Sequence, residues 1–332
     1  MRKKYLFIKP TCVSVLVIII LWWRPFDRLK LCEDSRDNLL KRYNKNWTKN
    51  DDNHQNFTSE LSAACHGFEK AIVTQANTPV GSRFEYDGDN SSLRVTPKMF
   101  KTFIKEHPFS KEKFATCAVV GSGGILIHSK CGKTIDSADF VFRCNLPPLN
   151  DEYGPDVGVR TDLVTANPSI FEKKYEFLTA QRENFVEALQ SYGKALVFMP
   201  AFSYSQYTAL SMWAVNTMEE FDSPTRAVFF NPEYLRNLIQ FWRDKGLRSI
   251  RPSTGFLVVS LALEVCSEVH LYGFWPYSTP PYGRHTLTNH YYDDVKVNAT
   301  AHAMPVEFDL LLDKHSQGVL KLQLEDCPAD RK

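Results

Sequence analysis

The chain predicts an α/β domain with a mostly parallel central sheet and helices on both faces. Three features carry this reading: short apolar runs rich in small and β-branched residues, helix-length segments between them, and a glycine-rich turn directly after the first run. The runs are Cys117 to Val120, Phe140 to Cys144, Leu163 to Ala166, Ala195 to Met199, Ala227 to Phe230 and Val269 to Tyr272. Between them, Glu172 to Gln190, Ser205 to Glu220, Pro232 to Lys245 and Ser253 to Cys266 read as helices, the third opening on Asn231-Pro232 as cap and first turn. Ligands in such a sheet bind outside the carboxyl ends of the strands. The turn after Val120 and the loops after Cys144 and Tyr272 are therefore where a site is expected.

Upstream, Arg2, Lys3 and Lys4 precede an apolar stretch from Tyr5 to Trp23 that only Lys9 and Pro10 interrupt, with Trp22 and Trp23 where an interfacial belt would lie. A cleaved leader would have a shorter apolar region followed by small residues; here Trp-Trp-Arg-Pro follows, which favours a retained anchor. The expected organisation is a cytoplasmic tail at 1–4, a membrane anchor at 5–23, a polar, Asn-rich stem at 24–60 and one catalytic domain at 61–332. Asn46, Asn56, Asn90 and Asn298 each open an Asn-X-Ser/Thr acceptor, as suits a lumenal domain.

The 332 residues are 43% hydrophobic, enough to fill a sizeable core, and 40 basic against 38 acidic side chains leave a charge of +2. That balance argues against a nucleic-acid partner, so an anionic ligand must be held by a local site. The eight cysteines show neither a CxxC pair nor zinc spacing, and disulfides are their expected use in a lumen.

The turn Gly121-Ser122-Gly123-Gly124 lacks the third glycine of a dinucleotide fingerprint, since Leu126 stands there. What survives is a nucleotide-sized cleft approached by backbone N–H groups, with a purely structural tight turn as the alternative. Asp87-Gly88-Asp89 superficially matches a metal-binding Asp-X-Asp, but it lies upstream of the nucleotide fold beside Asn90 and reads as a polar turn.

Cys117-Ala-Val-Val-Gly-Ser-Gly-Gly-Ile-Leu, with Cys131-Gly132, Asp136, Asp139 to Asn145, Asp156-Val-Gly, Thr161-Asp162 and Asn167-Pro168-Ser169, resembles the large motif of the animal sialyltransferases. Arg251-Pro-Ser-Thr-Gly255 through Leu271-Tyr-Gly-Phe-Trp-Pro276 resembles their small motif, His290-Tyr-Tyr-Asp293 the third, and His302-X4-Glu307 the very small one. The similarity runs from about Ala64 to Cys327 and is closest to the α-2,8 branch. It implies a Rossmann-like, GT-A-variant domain that transfers sialic acid from CMP-sialic acid, with inversion, to a terminal sialic acid on a glycolipid or glycoprotein. It further implies a single-pass type II protein of the Golgi membrane. An α-2,3 or α-2,6 linkage and a non-catalytic CMP-sialic-acid-binding protein are the alternatives. Arg226, Arg236, Arg243, Lys245, Arg248 and Arg251 are dispersed among Glu233 and Asp244, which favours adding one or a few residues over building a polymer.

Departure of CMP builds positive character at the anomeric carbon and negative charge on one phosphate, so the site needs an acceptor base and a phosphate stabiliser. An imidazole, with an unperturbed pKa of about 6.5, suits either role. The resemblance makes His302 the base, His290 a hydrogen-bond donor to the phosphate, and Glu307 an influence on the His302 ring or the local fold. It assigns Ser253, Thr254 and Gly255 to the donor, Asn145 to the nucleotide, and Trp275, Pro276 and Tyr277 to the cytidine pocket. Ser122 stands where most relatives carry asparagine and lacks the amide's two-donor head. No metal or other cofactor is expected, because a monoester leaving group among protein donors does not require one.

A Cys117–Cys266 bridge would hold the two halves of the donor site in register. By resemblance Cys131 pairs with Cys327. Cys144 is expected to pack as a small apolar residue, and Cys12, Cys32 and Cys65 have no assigned partner; a homodimer bridged through Cys32 is the weakest expectation.

Overall fold

The strands that the apolar runs foreshadow do assemble into one sheet. In the computed structural model, which describes residues 36–43, 46–110, 112–150, 152–248, 251–283, 285–296 and 304–327, β1 (Arg83–Glu85) and β2 (Ser92–Arg94) pair antiparallel as a small hairpin. The main sheet holds β3 (Phe114–Val120), β4 (Phe140–Arg143), β5 (Leu163–Thr165), β6 (Leu196–Met199), β7 (Arg226–Phe229), β8 (Cys266–Tyr272) and β9 (Lys321–Gln323). Its order among the described residues is β7-β6-β5-β4-β3-β8-β9, and every neighbouring pair is parallel. From β3 the chain steps outward to β7, then returns to lay β8 on the other side of β3. All of β4 and β5 is buried, which is why these strands read as unbroken apolar runs rather than alternating ones.

Several elements differ from the sequence reading. The expected helix over Glu172 to Gln190 breaks into Pro168–Lys173, a 3-10 turn Glu176–Leu178 and Arg182–Gln190. Glu176, Phe177 and Leu178 take positive φ (47°, 55° and 58°), turning the chain back. The gain is aromatic packing: Phe171 and Phe185 meet edge-on at 5.5 Å, whereas a straight helix would set residues fourteen apart at about 21 Å. The strands β1, β2 and β9 were not foreseen, being three residues each.

The expected stem also ends earlier than 60. Two compact units divide the chain, Met1–Asn46 and Trp47–Lys332. Within the second, the Asp51–Cys65 helix is capped by the Asn50 side chain and buries Phe57, Leu61 and Cys65. Phe57 meets Phe241 and Trp242, each at 5.6 Å, and Trp47 Nε1 donates to the Leu320 carbonyl at 2.9 Å. The polar appearance of this stretch reflects an amphipathic helix with a narrow buried face. In the first unit, residues 36–43 are helical. The expected tail at 1–4 and anchor at 5–23 lie outside the described residues, among which no helix is long and apolar enough to cross a membrane. Asn46, Asn56 and Asn90 are exposed; Asn298 lies outside the described residues.

Both expected bridges are present, Cys117–Cys266 between β3 and β8 and Cys131–Cys327 near the end of the chain. Cys65 and Cys144 are free and buried. Several charged residues of the large motif prove to be internal fasteners. Fully buried Arg143 donates to the carbonyls of Val157 and Arg160 and to the Thr161 hydroxyl. Asp136 accepts from Val159 N and Arg160 N, Asp156 from His128 N and Lys130 N, and Asp162 from Val141 N. Each carboxylate closes a loop over the sheet by satisfying backbone donors that would otherwise lack partners.

Two stability outcomes follow. Phe57→Ala should cost about 3 kcal/mol by emptying an aromatic-lined site, read as a lowered denaturation midpoint; a solvated spacer would show no change. Burial pushes the Glu264 carboxyl up to about 7, against the hydrogen bond from Tyr234. An acid raised above its unfolded value of about 4.3 destabilises the fold as pH rises from there through 7. Glu264→Gln should therefore raise stability at pH 8 by on the order of 2–3 kcal/mol, a gain that fades to nothing near pH 4.

Candidate active site

The strand order reverses between β3 and β8, and there two backbones meet. Gly121 N donates to the Tyr272 carbonyl at 2.8 Å and Gly123 N to the Gly273 carbonyl at 3.2 Å. A Cβ on Gly123 would sit 2.5 Å from Gly273 O, and one on Gly124 would sit 2.4 Å from Thr288 O. The glycine-rich turn is thus a seam between three chain segments, and two of its N–H groups are spent on protein rather than on a ligand. A 3-10 turn, Gly124–Leu126, follows it instead of a long helix, so no helix dipole stands behind the turn. The Ser122 hydroxyl donates to the Cys144 carbonyl at 3.3 Å, and Ser122 and Tyr292 both line the cavity beyond the turn.

Beyond this seam, a chain of hydrogen bonds runs across the strand ends. Asn145, at the end of β4, takes the left-handed region (φ 65°) that asparagine tolerates better than most residues. Its N donates to Thr165 Oγ1 at 2.8 Å, and its Oδ1 accepts from Asn167 N at 3.1 Å. Asn145 itself lines the cavity. Asn167 Oδ1 accepts in turn from Thr254 Oγ1 at 2.9 Å.

Thr254 opens the Thr254–Val265 helix, which Ser253 caps by accepting from Phe256 N. The resemblance assigns this turn to the donor. In the structure Glu307 Oε1 accepts from Ser253 N at 2.7 Å and Oε2 from Ser253 Oγ at 2.5 Å. A buried carboxylate therefore already stands at the positive end of this helix. Pro305 does not interrupt the segment: it lies in the first turn of the Met304–Ser316 helix, where its missing N–H is not needed. Met304, Glu307, Phe308 and Leu311, at helical spacing, present one face to the cavity. Phe308 meets Trp275 edge-on at 5.2 Å, and Tyr277 packs on Trp275 at 4.9 Å. Trp275 Nε1 is anchored to the Thr279 carbonyl at 2.7 Å, leaving its ring as wall.

His290 sits in a short loop closed by the Thr288–Lys296 bridge. Its Nδ1 is 2.6 Å from Asp293 Oδ2, its Nε2 is 3.0 Å from Asn289 Nδ2, and its ring stacks on Tyr292 at 5.1 Å. The Asp293 carboxylate accepts from Nδ1–H and the Asn289 amide donates to Nε2, so the ring is held at both nitrogens on the edge of the cavity it lines. Tyr291 N donates to Ser122 O, tying this loop to the glycine seam.

One cavity of about 190 Å³ gathers Ser122, Asn145, Ser253, Gly255, Trp275, Pro276, His290 and Glu307. Thr254 lines a neighbouring cavity, Tyr277 supports Trp275 from behind, and His302 lies outside the described residues. Sequence reasoning names Gly273, Phe274 and Tyr292 only as members of the motifs and does not name Asn289, Met304, Phe308 or Leu311. The i, i+3, i+4, i+7 spacing of the last helix was the signal available for three of them. Among the described residues no group of three or more His, Cys, Asp or Glu could hold a metal ion.

Residues 64–319 match the model of "Glycosyltransferase family 29 (sialyltransferase)". The chain is 42% identical over 282 residues to "Alpha-2,8-sialyltransferase 8E" of Homo sapiens, covering 85% of this chain and 75% of that protein. It is 41% identical over 325 residues to "Alpha-N-acetylneuraminide alpha-2,8-sialyltransferase" of Xenopus tropicalis, covering 97% and 93%. A solved mammalian sialyltransferase shares 20% identity with a TM-score of 0.46, covering 88% of this chain and 86% of that one.

Glu307→Ala should lower stability by about 1–3 kcal/mol, because it removes two charge-assisted bonds to the part-buried Ser253 donors. Glu307→Gln, which keeps an acceptor, should recover part of the loss in the same denaturation curve; equal midpoints for the two variants would contradict this role.

Proposed function

Starting from a chain that belongs to glycosyltransferase family 29, the sialyltransferases, we propose that it transfers sialic acid from CMP-sialic acid to a terminal sialic acid of a glycolipid or glycoprotein, forming an α-2,8 linkage. The observation that carries this reading is the aromatic-walled cavity at the strand-order reversal, with the His290–Asp293 pair on its rim, in a chain about 40% identical to proteins named for that linkage. The enzyme works in the Golgi lumen, held by a type II anchor at 5–23.

In the proposed reaction the 8-hydroxyl of the acceptor attacks the anomeric carbon in line. The new C–O bond forms as the bond from that carbon to the phosphate oxygen breaks, and CMP leaves with the electron pair. His302 receives the hydroxyl proton. His290, held by Asp293 on Nδ1, is the hydrogen-bond donor to the phosphate, its Nε2 exchanging Asn289 for a phosphate oxygen when the donor binds. Asn145 offers its amide to the nucleotide, and Trp275 with Pro276, backed by Tyr277 and Phe308, forms the cytidine wall. Ser122 stands where most relatives carry asparagine, and its hydroxyl is turned to the Cys144 carbonyl. Gly255 keeps the helix start open, since a Cβ there would meet the Phe274 ring at 3.1 Å.

Incubating the full-length chain in detergent with CMP-sialic acid and a panel of sialylated and unsialylated acceptors tests the linkage; product formed only on terminal galactose would overturn it. His302→Ala should lower turnover by about two to four orders of magnitude with CMP affinity nearly unchanged. His290→Ala should reduce both donor affinity and turnover; a change confined to acceptor KM would remove it from the phosphate.

A further inference from the structure

A second cavity, of about 160 Å³, lies beside the first at the carboxyl ends of β5, β6 and β7. We propose that it is the subsite for the acceptor's terminal sialic acid, with Arg251 binding that sugar's carboxylate; this rests on the α-2,8 reading above. An α-2,8 transferase differs chemically from one acting on galactose in one compulsory respect: its acceptor is an anion at the sugar that reacts. The described lining of the donor cavity contains no arginine or lysine. The second cavity does, and it offers Arg251 together with Asp87, Ser169, Ser203, Tyr207 and Thr254.

The two cavities share one structural wall. Asn145 lines the first, Asn167 and Thr254 line the second, and the hydrogen bonds from Asn167 N to Asn145 and from Thr254 to Asn167 join them. Ser253 and Gly255 face one side of the same helix turn whose Thr254 faces the other. A sugar seated against Arg251 thus lies next to the donor.

Arg251 is held in a built position. Its guanidinium lies 4.7 Å over the Tyr204 ring. That ring is packed so closely on Gly88 that a Cβ there would fall 2.3 Å from Tyr204 Cζ. Gly88 N donates to the Ser203 carbonyl at 2.7 Å, and Asp89 accepts from Ser205 N at 2.8 Å and Ser205 Oγ at 2.9 Å. The Asp87-Gly88-Asp89 turn is accordingly the base on which the arginine's platform stands. Burial pushes the Asp87 carboxyl up, while Ser203, Arg251 and Arg236 pull it down. Ser203 is near enough to exert that pull, yet neither Asp87 Oδ1 nor Ser203 Oγ completes a hydrogen bond of good geometry. Arg251, in the field of the Asp87 carboxylate, together with the Ser203 hydroxyl and Asp87 Oδ1, supplies a cation, a donor and an acceptor that match the carboxylate, hydroxyls and acylamino group of a sialic acid.

The test compares full-length wild type, Arg251→Ala and Arg251→Lys in detergent. The substrates are a sialyl-terminated oligosaccharide and the same compound with its terminal carboxylate converted to the primary amide. Wild type should show acceptor KM raised about 10- to 100-fold on the amide, the span of one charge-assisted pair. Arg251→Ala should show that loss on the native acceptor and no further loss on the amide, with the CMP inhibition constant within twofold of wild type. Arg251→Lys should fall between. Additive losses from the variant and the amide, a wild type indifferent to the amide, or CMP affinity falling in step would overturn the subsite. Wild type that uses only galactose-terminated acceptors would instead overturn the linkage.

Discussion

Backbone meets backbone without intervening side chains where β3 and β8 part, and the site is organised around that contact. Gly121 and Gly123 donate into Tyr272 and Gly273, and Gly124 lies against Thr288. The Cys117–Cys266 bridge joins the same two strands nearer their starts. Because the loop carrying His290 rests on Gly124 and on Ser122, the position of the imidazole is set by how closely these segments approach. A methyl group at Gly123 or Gly124 would move the cavity wall and the histidine together.

The motif residues divide into two kinds that look alike in one dimension. Arg143, Asp136, Asp156 and Asp162 never reach the cavity; they satisfy loop backbone around the sheet. Asn145, Trp275 and His290 do reach it. Glu307 belongs to both groups, since it lines the cavity and holds the cap of the Thr254–Val265 helix. Polar residues near a reaction centre thus act largely by fixing the backbone on which the reacting groups stand.

The sequence disclosed most of the sheet because its buried strands are continuous apolar runs, and helix starts because Asn231 and Ser253 are effective caps. It could not disclose contacts between distant segments. Nothing local to Trp47 announces Leu320, and nothing local to Ser253 announces Glu307. The 172–190 segment keeps helical propensity throughout, yet Phe185 packs on Phe171 and Tyr175, and tertiary packing overrides propensity there. Glycine in the 121–124 turn could be read as room for a ligand or room for a neighbouring strand, and only the three-dimensional arrangement separates the two.

Cys65 and Cys144 remain thiols in a protein whose other described cysteines are oxidised, and burial pushes both up to about 12. A thiol must ionise and reach a sulfur to exchange. Neither requirement is met while the fold is intact, so neither of these two thiols can attack a bridge in the folded protein. For these two cysteines mispairing is open only before they are buried, so the order of burial during maturation, rather than the redox poise met afterwards, keeps them out of the bridges.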